Sequence, residues 1–422
     1  MKNLCLAAAL LVGTPLFAQT NNVLTWEQCL KNTEAFNPDL ISAKAAVREL
    51  EYGVASASSG FLPQINASAQ FKKSGSKQTA GWTEQDNSSA GVNLTQTLYT
   101  GGLNVAKRNR ALAELSIGEE QFRTTLSDVE RRTRLAYIDV LYTQELIGLT
   151  RKITERRANN VRLIQLRFDG GRENAGSLAR SKAQLVEAQF EEREAQRSLD
   201  YTRLNLSAAI GQMAPIDGAD GTLSSEKPAP LTALVRLMKQ TPGYRISEQQ
   251  VESAQLGMKV TRSDRFPTVQ FSASTGLAGE TDLDDEKWSI GISASIPLFT
   301  GNRLINEVLA ANEKIIQSEM SLLDTANSLM ASLRSTWNNY TDAVENELVQ
   351  KTLLEAEQLR AKISTAKYKQ GLLDYEDWDT IESNLITQEK LHLQRRRASA
   401  TQQATWRNAL GLSVWEPTAG NN

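Results

Sequence analysis

The chain is poor in the residues from which active sites are built. Only two cysteines and one histidine stand among its 422 residues. Cys5 falls in the apolar N-terminal stretch, so Cys29 is alone downstream and an intramolecular disulfide is excluded there. Cys29 therefore reads as a small buried apolar side chain. The lone His392 excludes most histidine-based triads and multi-histidine metal sites, and reads as a helix-surface residue. Neither charge sign dominates, with 47 Lys and Arg against 49 Asp and Glu. That balance excludes the concentrated basic surface a nucleic acid requires. No later run approaches the roughly 20 apolar residues of a membrane-spanning helix, so any spanning part must be β. No GxxxxGK[ST] pattern surrounds Gly101-Gly102 or Gly170-Gly171, so neither is a phosphate loop. Arg395, Arg396 and Arg397 read as a solvated helix face, since adjacent helical residues do not share one side. No enzyme, cofactor or metal centre is expected.

Residues 1–18 read as a secretory signal peptide: Lys2 is the positive start, Leu4 to Val12 the apolar segment, and Pro15 to Ala18 the cleavage region. The expectation is an exported protein without a lipid anchor, because Cys5 lies inside that segment rather than at its end.

What the chain does have is a repeat. Leu98-Tyr99-Thr100-Gly101 returns 200 positions later as Leu298-Phe299-Thr300-Gly301. Phe168 and Gly171 return as Tyr368 and Gly371, and Ala209-Ile210-Gly211 as Ala409-Leu410-Gly411. Upstream the offset is 204, from Pro38 to Pro242 and from Pro63 to Pro267. One structural unit is written twice.

Within each copy the periodicity changes. Residues 24–60 read as helix with a break at Asn37-Pro38. After Pro63 the period becomes two: Ile65, Ala67, Ala69 and Phe71 point one way, and Gln64, Asn66, Ser68 and Gln70 the other. A polar stretch over 72–88 reads as a loop. The return strand has Val92, Leu94 and Leu98 on one face, interrupted by Gln96. In the second copy Val269, Phe271 and Ala273 alternate with Ser and Gln, then Trp288, Ile290, Ile292, Ala294, Ile296 and Leu298 alternate with Ser and Gly. The acidic run Asp282 to Glu286 between them reads as a solvated loop.

Two readings fit such hairpins, a soluble sheet with one face on a core or an outer-membrane barrel. The polar faces are small and almost uncharged, and aromatics mark the strand ends at Phe61, Tyr99, Phe266, Phe299 and Trp288. Those features favour the barrel.

From 102 to 169 and from 302 to 370 there is no proline. Each stretch, at about 1.5 Å per residue, extends roughly 100 Å as helix. Leu135, Ile138, Tyr142, Leu146, Leu149 and Ile153 recur at coiled-coil spacings. Gly170, Gly171 and Gly371 then read as turns into returning helices. The chain divides into a leader (1–18), a first repeat (19–211) and a linker (212–230), then a second repeat (231–415) and a tail (416–422). The first repeat has its hairpin near 63–100 and helices near 102–211; the second has its hairpin near 267–300 and helices near 302–411. The fold class is an α+β membrane protein of two tandem helix–hairpin–long helix–helix repeats. Four strands per chain leave open edges in lipid, two chains give a filled barrel, and three give 12 strands with room for water.

The doubled layout, residues 98–102 and 298–302, Asn37-Pro38-Asp39-Leu40, and the Phe168…Gly171 and Tyr368…Gly371 turns resemble the TolC family of outer-membrane efflux proteins. The resemblance spans essentially the whole mature chain. It implies a homotrimer with a 12-stranded barrel held in outer-membrane lipid of a Gram-negative-type bacterium. A coiled-coil helical tunnel would cross the periplasm to a periplasmic adaptor and an inner-membrane pump. It also implies that Asp377 matches an aspartate that narrows the tunnel entrance. Ser177 stands at the corresponding first-copy position, and the basic gate residue of some members is replaced near Leu373. Tyr99, Gly101, Phe299 and Gly301 mark the hairpin-to-helix junctions. The implied function is a passive export duct of a tripartite efflux pump. The alternatives are the duct of a type I secretion system, or a coiled-coil surface protein without a pore.

Overall fold

The structure is a computed structural model that describes residues 23–415 apart from 79–80 and 281–282. The expected leader and the tail from 416 lie outside the described residues. The elements run β1 (Val23–Leu24), α1 (Trp26–Phe36), α2 (Pro38–Ser58), β2 (Gln64–Gln78), β3 (Gly81–Tyr99), α3 (Leu103–Asp169) and α4 (Ala175–Ile210). They continue with β4 (Gly218–Ala219), α5 (Leu234–Gln240), α6 (Pro242–Ser263), β5 (Thr268–Gly279), β6 (Asp285–Ser295), α7 (Arg303–Gln370) and α8 (Tyr375–Ala409). Helix, hairpin, long helix and returning helix thus occur twice. α2 and α6 start alike: Pro38 and Pro242 occupy the first helical position, and the Asn37 and Thr241 side chains cap the free N–H groups.

Two compact units cut across both repeats. One comprises residues 1–36, 135–224 and 350–397; the other comprises 37–134, 225–349 and 398–422. In the first unit β1 pairs in parallel with β4, inside the expected linker. Tyr137 donates its hydroxyl proton to the Leu24 and Asp220 carbonyls there, and Gln144 bonds both the N–H and the carbonyl of Ala219. Cys29 is fully buried, and that burial pushes its thiol up to about 12.

The second unit holds a four-stranded antiparallel sheet in the order β2-β3-β5-β6. Directly opposed residues share a face, so the register sorts the side chains. Ile65 stands opposite Leu94, Leu94 opposite Ala273, and Ala273 opposite Ile290. That face also carries Ala67, Phe71, Val92, Phe271, Trp288 and Ile292. The opposite face carries Asn66, Asn93, Ser274 and Ser289, with a 2.8 Å bond between the last two hydroxyls. Gln96, the polar intruder on the apolar face, turns its amide to the Phe61 and Thr97 carbonyls.

Several sequence expectations change. Residues 72–78 and 81–88 are not loop but continue β2 and β3 as a ribbon past the last β5 partner, the Ser88–Gly279 pair. Their Lys, Ser and Gly composition carries little strand preference; the cross-strand ladder holds them instead. Along this ribbon the apolar face becomes charged, with Lys73 Nζ 2.9 Å from Glu84. The apolar band therefore stops at Phe71. Asp285 and Glu286 belong to β6, paired with Ala278 and Leu277, while Asp282 lies outside the described residues. β6 ends at Ser295, so Ile296 and Leu298 leave the alternation, as expected where Pro297 cannot donate to a ladder. In β3 a register shift between Thr97 and Tyr99 leaves Leu98 unpaired and places Tyr99 opposite Val269.

This register carries a direct test. Ile292 is on the apolar face and Ser293 on the polar one. Arginine at Ile292 is expected to cost about 2–4 kcal/mol near a bilayer midplane, and arginine at Ser293 little. The fraction of each variant assembled in outer-membrane extracts reads this out. Equal losses would contradict the register.

Candidate functional site

Of the expected junctions and turns, Gly101, Gly171, Gly301 and Gly371 are left-handed backbone positions, but they differ in surroundings. Gly101 has φ +61°, and a Cβ there would stand 2.4 Å from Cβ of Phe266, so no side chain fits. Gly301 has the same φ with open space around it, and Asn302 (φ +65°) stands where the first copy has Gly102. Tyr99 and Phe299 are both exposed.

The long helices end in matching turns. In α3 the Gly171 N–H donates to the Phe168 carbonyl at 2.9 Å and the Arg172 N–H to the Arg167 carbonyl at 2.7 Å. In α7 Gly371 donates to Tyr368 at 3.0 Å and Leu372 to Lys367 at 2.9 Å. This double bond pattern requires a left-handed residue at the glycine, and φ is +69° at Gly171 and +79° at Gly371. Gly170 does not share that conformation.

The returning helices start on side-chain caps. The Asn174 amide oxygen accepts from the Ser177 N–H and the Asp374 carboxylate from the Asp377 N–H, each at 2.8 Å. Asp377 is thus the third residue of α8 and exposed, in a first turn where its charge suits the helix dipole. Ser177 is buried, and Leu373 packs half-buried behind its turn.

Behind the second turn lies an aromatic cluster of Tyr368, Tyr375 and Trp378 with Ile164 and Leu178. The Tyr368 ring stacks on Trp378 at 4.4 Å and 4° between planes, and the Arg167 guanidinium sits 4.5 Å from the Tyr368 ring centre. The Tyr368 hydroxyl donates to Glu173 at 2.9 Å, and Trp378 Nε1 to Thr365 at 3.0 Å. Burial, followed by the bond to Glu173, raises the Tyr368 phenol above its ordinary range. Burial and then the Asp379 charge push Tyr375 up to about 12, so both phenols remain protonated, although only that of Tyr368 meets an acceptor.

Sequence reasoning singled out Asp377 and missed Asp379, two residues on. Asp379 is almost wholly buried. Its carboxylate accepts from Arg157 at 3.3 Å, from Arg180 at 2.9 Å and from Gln184 at 3.0 Å, and Arg157 also donates to Ser383 at 3.1 Å. α3, α4 and α8 are thereby joined through one carboxylate. Further pairs run along the same helices: Arg156 with Glu389 at 2.8 Å, Lys390 with Glu191 at 2.5 Å. The expected solvated arginine run holds for Arg395, which is exposed, and is corrected for the two arginines that follow it. Arg396 binds Glu145 and the Leu223 carbonyl, and Arg397 binds Asp139 and covers the Tyr142 ring. Adjacent arginines diverge around a helix, yet each is long enough to return to a neighbour.

Among the described residues no helix is long and apolar enough to cross a membrane, and no cluster has the makings of a metal site. The sheet is the part with a lipid-compatible face. The model of the outer membrane efflux protein family matches residues 29–212 and 235–412. The chain belongs to the outer membrane efflux protein family. It is similar to the outer membrane efflux protein BepC of Brucella suis, 24% identical over 344 residues, with 80% of this chain and 74% of that one covered. Outer membrane protein TolC of Escherichia coli is 23% identical over 395 residues, covering 86% and 76%. The solved structure of CusC superposes with a TM-score of 0.81 at 15% identity, covering 91% of each chain. This efflux protein is an outer-membrane channel that extends into the periplasm; it is not an enzyme. Family membership sets aside the poreless coiled-coil reading and the soluble sheet.

Proposed function

We propose that three copies of this efflux protein close their sheets into one 12-stranded barrel and pool their long helices into a tunnel. Its mouth is ringed by the turns at Gly170-Gly171 and Gly371, onto which a periplasmic adaptor docks, linking the duct to an inner-membrane pump. The observation that carries this reading is the sheet itself: β2 and β6 are its edges, and one face is mostly apolar, interrupted by Gln96 and Thr275 and ending at Glu286. An open edge in hydrocarbon leaves N–H and carbonyl groups without partners, so the edges must meet other copies. Two copies make eight strands, whose interior side chains fill; three leave an aqueous lumen lined by Asn66, Ser68, Ser274 and Ser289. Asp377, exposed just beyond each second turn, supplies a negative group to that mouth. The ion-paired, aromatic-stacked cluster around Asp379 and Tyr368 gives the turns a fixed base.

Native mass spectrometry in a mild detergent tests the assembly. Folded protein is expected at three chains. A monomer or dimer as the only folded species would contradict it.

A further inference from the structure

The two repeats differ where their paired helices pack in the second unit. In the first repeat Leu50 of α2 packs onto Gly118 of α3: its Cδ1 lies 2.2 Å from where a Cβ at 118 would stand. The repeat offsets of 204 and 200 carry these positions to Ala254 on α6 and Ser318 on α7. The leucine that fills the first repeat is therefore an alanine in the second. Glu49 likewise gives way to Ser253 at the 204 offset. A cavity of about 560 Å³ opens at this place between α3, α6 and α7, lined by Ala254, Ser253 and Ser318 among others.

We infer that this cavity is a binding site for one small amphiphilic anion, a phosphate ester or comparable acid with a short apolar portion. The volume lies within the range of small-molecule sites. Its only charged lining residues are Arg110 and Lys314, with no acid among the lining side chains. Arg110 pairs with Glu114 at 3.0 Å, but both are about half exposed, which makes a weak pair that an anion displaces readily. Lys314 makes only a 3.4 Å bond to Gln317. Ile117 and Met258 supply the apolar wall and Ser253 a hydroxyl donor. The Ser318 and Thr261 hydroxyls donate to the Lys314 and Gly257 carbonyls at 2.9 and 3.2 Å, and present their lone pairs to the recess unless they turn. A cation finds the like charges of Arg110 and Lys314 there and no acid in the lining; a purely apolar molecule covers the Lys314 ammonium without giving it a counter-charge. The second repeat has thus lost a packing contact and gained a recess of one charge sign.

Isothermal titration of the purified oligomer in nonionic detergent tests this with hexyl phosphate, inorganic phosphate and hexyltrimethylammonium. Hexyl phosphate is expected to bind once per chain, at least tenfold more tightly than either control. Ala254→Leu restores the first-repeat filling without touching a charge and should weaken binding at least tenfold. Lys314→Gln should weaken it as well, and covers the case that Ala254→Leu fails to fold. Phosphatidylglycerol retained through detergent exchange, and lost in both variants, supports the site with a bilayer lipid as the source. Equal binding of inorganic phosphate, or unchanged hexyl phosphate binding in the folded variants, overturns the inference. So does a loss of the oligomer in Ala254→Leu with hexyl phosphate binding intact, since the recess would then receive a second copy of the chain.

Discussion

Gly371→Trp is expected to abolish export in cells while leaving the protein folded and oligomeric in the outer membrane. Two features of the turn combine. Its φ of +79° is left-handed, a conformation that costs a side chain roughly 1–2 kcal/mol and that glycine adopts freely. A Cβ at this glycine meets nothing within 4 Å, so the indole is not forced into the aromatic cluster and projects outward. The strain is small against a domain's stability, and the obstruction falls on the surface proposed to receive the adaptor. Drug sensitivity of cells carrying the variant, beside its oligomer content in membrane extracts, separates docking from folding. Gly371→Ala supplies the strain without the bulk and should keep most export. Full export by Gly371→Trp would move the docking surface elsewhere.

Asp379→Ala is expected to be the most destabilising single exchange near the turns, by about 3–5 kcal/mol. It removes a buried carboxylate and leaves Arg157, itself 9% exposed in its side chain, without its counter-charge. Arg180 loses the same partner but is largely exposed and contributes little. Asp377→Ala, two residues earlier and exposed, should stay within roughly 0.5 kcal/mol. Thermal unfolding followed by helical circular dichroism, with limited proteolysis of the 157–184 and 365–383 segments, compares the two. Equal stabilities would show that the Asp379 pair contributes no net energy.

Much of the fold was legible because its signals are local. The switch from period 3.6 to period two after Pro63 and Pro267 locates the hairpins, and the apolar faces read from Ile65 and Ile290 are those of the ladder. The glycines at 171, 371, 211 and 411 end helices by the same left-handed cap, which a single chain reveals through the repeat. The ribbon over 72–88 was not legible, because its strand conformation comes from cross-strand pairing and not from Lys, Ser and Gly. Asp285 and Glu286 misled in the same way.

The Asp379 site left a signal that charge counting overlooks. Ile153, Arg157 and Ile164 fall on one stripe of α3, and Tyr375, Trp378, Asp379, Glu382 and Ile386 on one stripe of α8. A lone basic residue in one apolar stripe points toward the acids of the other, where Asp379 takes the arginine and Glu382 accepts from Thr365. Asp377 stands off that stripe, which is why it is exposed and Asp379 is not. The arginines at 396 and 397 needed their partners on α3 to be placed at all.

The central claim, that the assembled chain is an open-lumen duct, is tested most directly by the conductance of purified protein in a planar lipid bilayer. The account predicts discrete single-channel steps, with block by multivalent cations that weakens in Asp377→Ala, because the exposed carboxylates at the mouth attract them. Folded, oligomeric protein that inserts and carries no current would contradict it.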